Sequence, residues 1–403
     1  MEAGRLIAGL ARLTGDLGLA EELAQDALVA ALEHWPATGV PPNPGGWLMT
    51  TAKRRAIDLY RHRDMSERKL HLIADDRQPA SPADLAAESA DDHVGDDVLR
   101  LIFTACHPAL AMESRVALVL KCLAGLSTGE IARAFLVSEP TVAQRIVRAK
   151  KALSAERVAF EMPNASDLAA RRTSVLEVVY LIFNEGYAAT AGADWMRPEL
   201  CQEAMRLARL LTGLMAADAE VGGLLALMEL QASRLPARTD ADGNPVLLAE
   251  QDRGRWDRLL IRRGLAELDR IHALDSPAGP YVVQAEIAAC HARAMSFEET
   301  RWDQIAAWYA ILGHLWPSPV VELNRAIAVG MAEGPAAGLA LLEELSGSGR
   351  LAGYPQLPAA RAEMLTRLGR AAEARAEYER AAALSKNDRE RQLFVNQALA
   401  VPD

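Results

Sequence analysis

The side chains best suited to a chemical task lie between Ser127 and Leu153. At helical spacings there, the chain presents a hydroxyl, a carboxamide and several cations: Thr141, Gln144, Arg145, Arg148 and Lys151. Such groups hydrogen bond to base edges in the major groove and grip the flanking phosphates, and a helix N-terminus also favours phosphate. The pattern therefore favours binding to duplex DNA. The alternative is an amphipathic hairpin whose basic face is only solvated.

Two short helices joined by a tight turn are expected to position these groups. Ser127 and Glu130 form a capping box, which predicts a helix that begins there and runs to about Phe135. Ser138 is a second N-cap, and Pro140 suits the first turn of the next helix. That second helix carries an apolar stripe for packing, formed by Val142, Ile146, Ala149 and Leu153. The segment therefore reads as a helix-turn-helix.

A second basic segment lies between residues 45 and 63. It contains five cations (Lys53, Arg54, Arg55, Arg61 and Arg63) and a single acidic residue, Asp58. After the Pro- and Gly-rich turn 41–46, a helix is expected to start near Trp47. Its apolar positions are Leu48, Ala52, Ile57 and Leu59. Trp47 and Tyr60 stand near its ends, and cations beside an aromatic ring suit single-stranded nucleic acid. The alternative is an aromatic core anchor under a solvated basic face.

The first 35 residues predict two helices that are separated at Asp16-Leu17-Gly18 and stopped by Pro36. The second helix would bury Leu19, Leu23, Ala27, Ala30 and Ala31. Its other face would expose four polar side chains: Glu21, Glu22, Gln25 and Asp26. An acidic face of this kind is typical of a solvated surface, and a partner surface is the alternative.

Composition sets the class of protein. The 403 residues are half apolar and rich in Ala, Leu, Glu and Arg, without sustained alternation, which indicates an all-α fold. The net charge of −10 is unevenly placed, because an acidic linker separates the two basic segments. Four scattered cysteines predict reduced, buried thiols and no metal site, and we expect no cofactor. No apolar run suits a membrane span, so a cytoplasmic location is expected.

The second half of the chain, after Pro163-Asn164, is again helical. Residues 368–384 have the spacing of a tetratricopeptide helix pair, with weaker echoes upstream, so a helical-hairpin array is predicted. We find no catalytic motif there. The charged run 252–258 predicts a salt network that includes Arg253 and Asp257, and residues 184–187 could line a pocket.

Taken in order, these segments resemble the extracytoplasmic-function (ECF) RNA polymerase sigma factors. Residues 16–36 look like region 2.2 of that family, residues 43–63 like regions 2.3 and 2.4, and residues 127–153 like region 4.2. The second half, including 181–192, 249–265 and 318–330, is similar to the subgroup with a tetratricopeptide-like extension. The resemblance implies an all-α chain of four parts: sigma region 2 (1–63), a flexible acidic linker (64–96), sigma region 4 (97–160) and a helical regulatory domain (164–403).

The resemblance also implies roles for residues. Core RNA polymerase would be met by Glu21, Glu22, Gln25 and Asp26. The −10 element of a promoter, held as a single strand, would lie against Trp47, Lys53, Arg54, Arg55, Asp58 and Arg61. The −35 element would be read as duplex by Thr141, Gln144, Arg145, Arg148 and Lys151. The chain itself would carry out no catalysis. Two rival interpretations are a stand-alone helix-turn-helix regulator with a sensing domain and a peptide-binding scaffold.

Overall fold

The computed structural model describes residues 2–70, 94–135, 137–156, 158–189 and 195–402. These residues form two compact units, Met1–Val178 and Val179–Asp403. Within the described ranges the structure is α-helical, with short 3-10 turns and no strand, so the predicted all-α class is confirmed. Most of the acidic linker, residues 71–93, lies outside the described residues.

The first unit contains seven helices and the start of an eighth among its described residues. They are α1 (Glu2–Thr14), α2 (Leu17–Thr38), α3 (Pro44–Leu70), α4 (Val94–Ala105), α5 (Met112–Cys122), α6 (Thr128–Ala134), α7 (Glu139–Ala155) and α8 (Ala165–Tyr187). Helices α1, α2 and α3 pack on one another, and α5 and α6 pack on α7. Helix α4 packs against α1, which brings the two predicted DNA-binding parts together. Leu10, Leu23 and Phe103 are among the buried side chains of this unit.

Helix α2 differs from its predicted length. Pro36 lies inside the helix rather than stopping it, and the helix continues to Thr38. A proline in the last turn removes only one intrahelical hydrogen bond, so the helix can tolerate it. Gly39 supplies the actual stop, because its φ of 79° suits glycine and its N–H donates to the carbonyl of Trp35 at 2.9 Å.

Among its described residues, the second unit continues from α8 through ten further α-helices. They are α9 (Pro198–Leu214), α10 (Ala219–Ala232), α11 (Arg258–His272), α12 (Pro280–Arg293), α13 (Trp302–Leu315), α14 (Pro319–Ala332), α15 (Pro335–Gly347), α16 (Gln356–Arg367), α17 (Ala371–Leu384) and α18 (Asp388–Ala400). Successive helices pack on one another from α9 to α18, and α10 also packs on α12. This is the nearest-neighbour packing of a helical-hairpin array.

The crossing of α14 and α15 is unusually close. A Cβ atom added at Gly338 would lie 2.6 Å from the Cα of Gly330. Both helices therefore need glycine at this point, since any larger side chain would push them apart.

The charged run before α11 is not the predicted salt network. Arg253 is buried and donates to the carbonyls of His291 (2.6 Å) and Ala294 (2.8 Å) and to Oγ1 of Thr300 (2.9 Å). Asp257 instead caps α11 by accepting from the N–H groups of the first turn. The i,i+4 spacing was misleading because Arg253 lies in a 3-10 turn and only Asp257 borders the α-helix.

Candidate nucleic-acid interface

Local hydrogen bonds build the helix-turn-helix as the sequence predicted. The N–H and the Oγ–H of Ser127 both donate to Oε2 of Glu130 at 2.7 Å, and the N–H of Glu130 donates back to Oγ of Ser127 at 3.1 Å. Ser138 caps α7 by accepting from the N–H of Thr141 at 3.3 Å. The hydroxyl of Thr128 donates to Glu139 at 2.8 Å and so ties α6 to α7. The turn is therefore fixed at both ends.

The two faces of α7 are separated as predicted. The stripe Val142, Ile146, Ala149 and Leu153 is buried. On the other side Gln144, Arg148 and Lys151 are exposed, whereas Thr141 and Arg145 are half-buried. Among the described residues, no carboxylate forms an ion pair with Arg145, Arg148 or Lys151. Their charge is available to an outside anion.

Helix α3 holds the second basic set. Asn43 begins this helix by accepting from the N–H of Gly46 at 2.9 Å, so it starts at Pro44, ahead of the predicted Trp47. The ring of Trp47 lies edge-on to Trp35, with centroids 5.5 Å apart, and is only half-buried. Trp47 therefore fits both sequence interpretations: its ring packs in an aromatic cluster, and part of its surface stays accessible to solvent.

The cations of α3 remain accessible. Arg54 and Asp58 are exposed and Lys53 is half-buried, while Arg55 pairs with Asp26 of α2 at 3.1 Å. A surface pair of this kind is weak and exchangeable, contributing about 0–1 kcal/mol. The side chain of Arg61 lies outside the described residues.

The apolar positions of α3 are not all buried. Leu48, Ala52 and Ala56 are buried, whereas Ile57 is half-buried and Leu59 is 42% exposed. The three buried positions recur at i, i+4 and i+8, so they share one side of the helix, and Ile57 points to the opposite side.

The predicted acidic face of α2 is only partly exposed. Glu22, Gln25 and Asp26 face solvent, but Glu21 is 5% exposed, so its predicted exposure is wrong. Its carboxylate forms an ion pair with Lys150 of α7, and Nζ of Lys121 on α5 lies 3.9 Å away. Both partners come from helices far along the chain, so the local sequence around Glu21 does not predict them.

The exposed side of α2 also carries apolar side chains that sequence reasoning missed. Leu28 is 37% exposed, Val29 50% and Leu32 76%. They lie beside the acidic residues and off the buried stripe of Leu23 and Ala27. These apolar residues do not follow the 3.6-residue periodicity of the buried stripe, and that departure could have identified them from the sequence.

A second buried ion cluster joins the predicted regions 2 and 4. Asp97 of α4 is 4% exposed and accepts from Nε of Arg12 on α1 at 2.9 Å and from Arg100 at 2.7 Å. Together with the contacts of Glu21, it links helices from both predicted DNA-binding parts within the first unit. The first unit is thus held in a closed arrangement.

The second unit contains a cavity of about 520 Å³. Asn184 and Tyr187 of α8 line it, as the sequence suggested, but Glu185 instead pairs with Arg197. The remaining lining comes mainly from α10, α12, α13 and α14. The sequence placed residues 184–187 at a helix end but could not show the other walls.

Titratable side chains outside these surfaces are mostly structural. All four cysteines are buried and unpaired, as expected, and burial raises the pKa of Cys106 and Cys122 to about 12. Across the described residues, no cluster of three His, Cys, Asp or Glu side chains could hold a metal. None of the helices described here is long and apolar enough to cross a membrane.

Comparison with known proteins decides the family. Residues 1–65 match the model for sigma-70 region 2, and residues 100–153 match that for sigma-70 region 4. The ECF RNA polymerase sigma factor SigL of Mycobacterium tuberculosis is 31% identical over 143 residues, which cover 35% of this chain and 76% of SigL. The chain belongs to the ECF RNA polymerase sigma factors. It therefore serves promoter-specific transcription initiation, the process in which a sigma factor joins core RNA polymerase and promoter DNA.

The C-terminal extension of this sigma factor also has relatives. Residues 171–272 match a family of unknown function, DUF6596. An uncharacterized protein of Rhizobium meliloti, R00370, is 45% identical over 382 residues, covering 94% of this chain and 89% of that protein. No solved structure matches the chain significantly.

Proposed function

We propose that this sigma factor reads the −35 element with α7, holds the opened −10 element against α3 and docks on core polymerase through α2. The observation that carries the proposal is the face of α7, where Arg145, Arg148 and Lys151 lie opposite a buried stripe without carboxylate partners among the described residues. Thr141 and Gln144 complete that face and supply groups that can read base edges. On α3, the corresponding set is Trp47, Lys53, Arg54, Arg55, Asp58 and Arg61.

The polymerase surface that we propose on α2 combines acid and apolar groups. Glu22, Gln25 and Asp26 supply hydrogen-bond acceptors, and the neighbouring Val29 and Leu32 supply apolar area that is exposed in this structure. An exposed apolar patch rimmed by polar residues is typical of a protein–protein contact. Glu21 would join this surface only after it leaves Lys150.

Simultaneous promoter contacts require the first unit to open. The two promoter elements are named by positions about 25 base pairs apart, which is roughly 85 Å of duplex at 3.4 Å per base pair. In this structure α7 touches α2 through Lys150 and Glu21, and α2 packs on α3. The chain between Leu70 and Val94 has 23 residues and could reach about 80 Å when fully extended. The extended chain therefore reaches nearly the whole of that span, and the widths of the two folded parts supply the remainder.

The proposal assigns no catalysis to the chain itself, since the polymerase supplies it, and places the protein in the cytoplasm with its partner. Run-off transcription with purified core polymerase tests this function. Specific initiation should appear only when the protein is added. Tight, sequence-specific duplex binding without polymerase, combined with no initiation, would instead favour the stand-alone regulator.

A point variant tests the −35 assignment. Arg145→Ala should weaken promoter binding of the holoenzyme by about 1–3 kcal/mol if the guanidinium contacts a base edge. Arg350→Ala is the matched control, because Arg350 is an exposed arginine of the second unit. Equal promoter use by both variants would contradict the recognition-helix assignment.

We also propose that the helical C-terminal unit regulates the sigma factor, by contact with its DNA-binding parts or with polymerase. The support is its size and its fusion to a chain that carries both sigma regions. The second-unit variants described below can be assayed for transcription as full-length proteins, and this test leaves the first unit intact.

A further inference from the structure

The cavity of the second unit has the dimensions of a small-molecule site. Its volume of about 520 Å³ falls within the roughly 300–1,000 Å³ of typical ligand pockets. Helices α8, α10, α12, α13 and α14 supply most of its walls, so it lies on regular, packed elements rather than on loops. Such a site is largely formed before a ligand arrives.

The lining of this cavity carries no charge. None of its described lining residues is Asp, Glu, Lys, Arg or His. A charged ligand would lose its hydration there without gaining a counter-charge, which is costly. The cavity therefore selects an uncharged ligand.

Carboxamides line the cavity at regular places in the fold. One comes from each of α8, α10, α12 and α14: Asn184, Gln231, Gln284 and Asn324. Gln284 is occupied by the scaffold, since its Oε1 accepts from the hydroxyl of Tyr180 at 3.0 Å and its Nε2 donates to the carbonyl of Pro280 at 3.2 Å. By contrast, the Asn324 side chain makes no hydrogen bond within the described residues. It has both a donor and an acceptor to offer.

Tyr187 lines the same cavity with a fixed ring. Its hydroxyl oxygen is buried and has no hydrogen-bond partner among the described residues. The ring is held in place, because it stacks on Phe183 at 5.7 Å and the Arg238 guanidinium lies 3.6 Å from its centroid. Because the hydroxyl has almost no accessible surface, Tyr187 contributes its ring to the cavity wall and not its hydroxyl group.

Aromatic rings complete the wall. Tyr309, Trp316 and Tyr354 line the same cavity, and Trp316 is 39% exposed. Such rings offer flat faces on which a ring-shaped ligand can stack.

We propose that this cavity binds an uncharged, ring-containing small molecule whose adjacent donor and acceptor groups pair with the carboxamide of Asn324. Aromatic walls hold the ring, and the uncharged lining excludes acids and bases of the same shape. The site is separate from the promoter and polymerase surfaces, so this inference stands independently of the residue roles proposed above.

Ligand-observed NMR on the full-length protein tests the site with matched pairs of probes. Suitable pairs are N-acetyl-L-tyrosinamide with N-acetyl-L-tyrosine, and a methyl glucoside with the corresponding glucuronic acid. At least one neutral probe should bind, with its charged partner at least tenfold weaker. Asn324→Leu should weaken the neutral probe about tenfold, the equivalent of one hydrogen bond, whereas Tyr187→Phe should leave its affinity unchanged.

Two controls separate binding from folding. Asn396→Leu makes the same exchange at an exposed site on α18 and should leave probe affinity unchanged. Tyr187→Phe should not lower the melting temperature of the free protein, because the lost hydroxyl has no partner among the described residues. The proposal is overturned if no neutral probe binds, if the charged partners bind equally well, or if Asn324→Leu binds the probe like the unchanged protein.

Discussion

The ion pair between Glu21 and Lys150 offers the sharpest test of the closed first unit. Lys150→Ala removes the partner of a carboxylate whose side chain is 6% exposed, leaving Lys121 at 3.9 Å and the Gln25 amide at 2.7 Å. Lys150 itself belongs neither to the proposed −35 set nor to the proposed polymerase surface, although its partner Glu21 would join that surface on release. The substitution should therefore shift the closed arrangement towards an open one.

The structure sets the size of that shift. Loss of one partner from a fully buried ion pair costs about 3–5 kcal/mol. Lys150 is 23% exposed and Glu21 keeps the Gln25 contact, so we expect a smaller value, about 1–3 kcal/mol. Since 1.4 kcal/mol is a factor of about ten, the open population should rise roughly 5- to 150-fold. Apparent affinity for a partner that needs the open form rises with that population until it saturates.

Equilibrium binding to core RNA polymerase measures the effect. A labelled full-length protein is titrated with core polymerase, and the Kd is compared for the unchanged chain and two variants. Lys150→Ala should bind more tightly. Lys151→Ala is the matched control, because Lys151 is the adjacent lysine, is exposed and makes no ion pair within the described residues. Its Kd should stay the same.

Two results would refute the reasoning. If Lys150→Ala binds core polymerase no more tightly than the unchanged protein, the ion pair does not restrain polymerase binding. If Lys151→Ala tightens binding equally, the effect is one of general charge and not of the contact with Glu21.

Three further predictions concern the second unit. Gly338→Ala should destabilise it by about 1–3 kcal/mol in urea unfolding, because the added Cβ meets α14, whereas Gly347→Ala on the same helix has free space and should cost nothing. Arg253→Met should cost at least about 3 kcal/mol by leaving buried carbonyls unpaired, and Arg255→Met, at an exposed position, should be near neutral; equal stability of the two would contradict the role of Arg253. Burial and nearby arginines lower the pKa of His291 to about 3, so the unfolded chain takes up the proton first as pH falls. The contribution of neutral His291 to the free energy of unfolding should be fully present above about pH 6.5 and should fall by up to about 1.4 kcal/mol per pH unit below it. In melting curves recorded from pH 7 to pH 4, His291→Phe should reduce that pH dependence.

Local signals predicted the DNA-binding half of the chain well. Ser127, Glu130 and Ser138 cap helices through neighbours three residues away, so the sequence itself contains both partners of each hydrogen bond. The buried stripe of α7 followed for the same reason, since four residues at helical spacing must share one face. The helix-turn-helix could therefore be predicted almost residue by residue.

Contacts between distant parts of the chain could not be predicted. Glu21 was predicted to be exposed because its partners, Lys121 and Lys150, lie in other helices far along the chain. The boundary between the units falls inside α8, although the sequence placed it at residue 164. Ser174 of α8 shows why, since its hydroxyl donates to the carbonyl of Cys106 and accepts from Arg115 at 2.9 Å. A truncation after Pro163 would remove this packing from the first unit.

Lys150 and Lys151 show how one helix can serve two purposes. Adjacent residues on an α-helix point about 100° apart, so one lysine faces α2 while the other stays on the exposed side with Arg148. The sequence gives them the same charge and no distinguishing pattern. In the closed arrangement Glu21 is held by α7, so in the polymerase role proposed for Glu21 the step that frees this carboxylate also breaks its ion pair with α7. Polymerase binding and promoter reading would then be coupled through one ion pair.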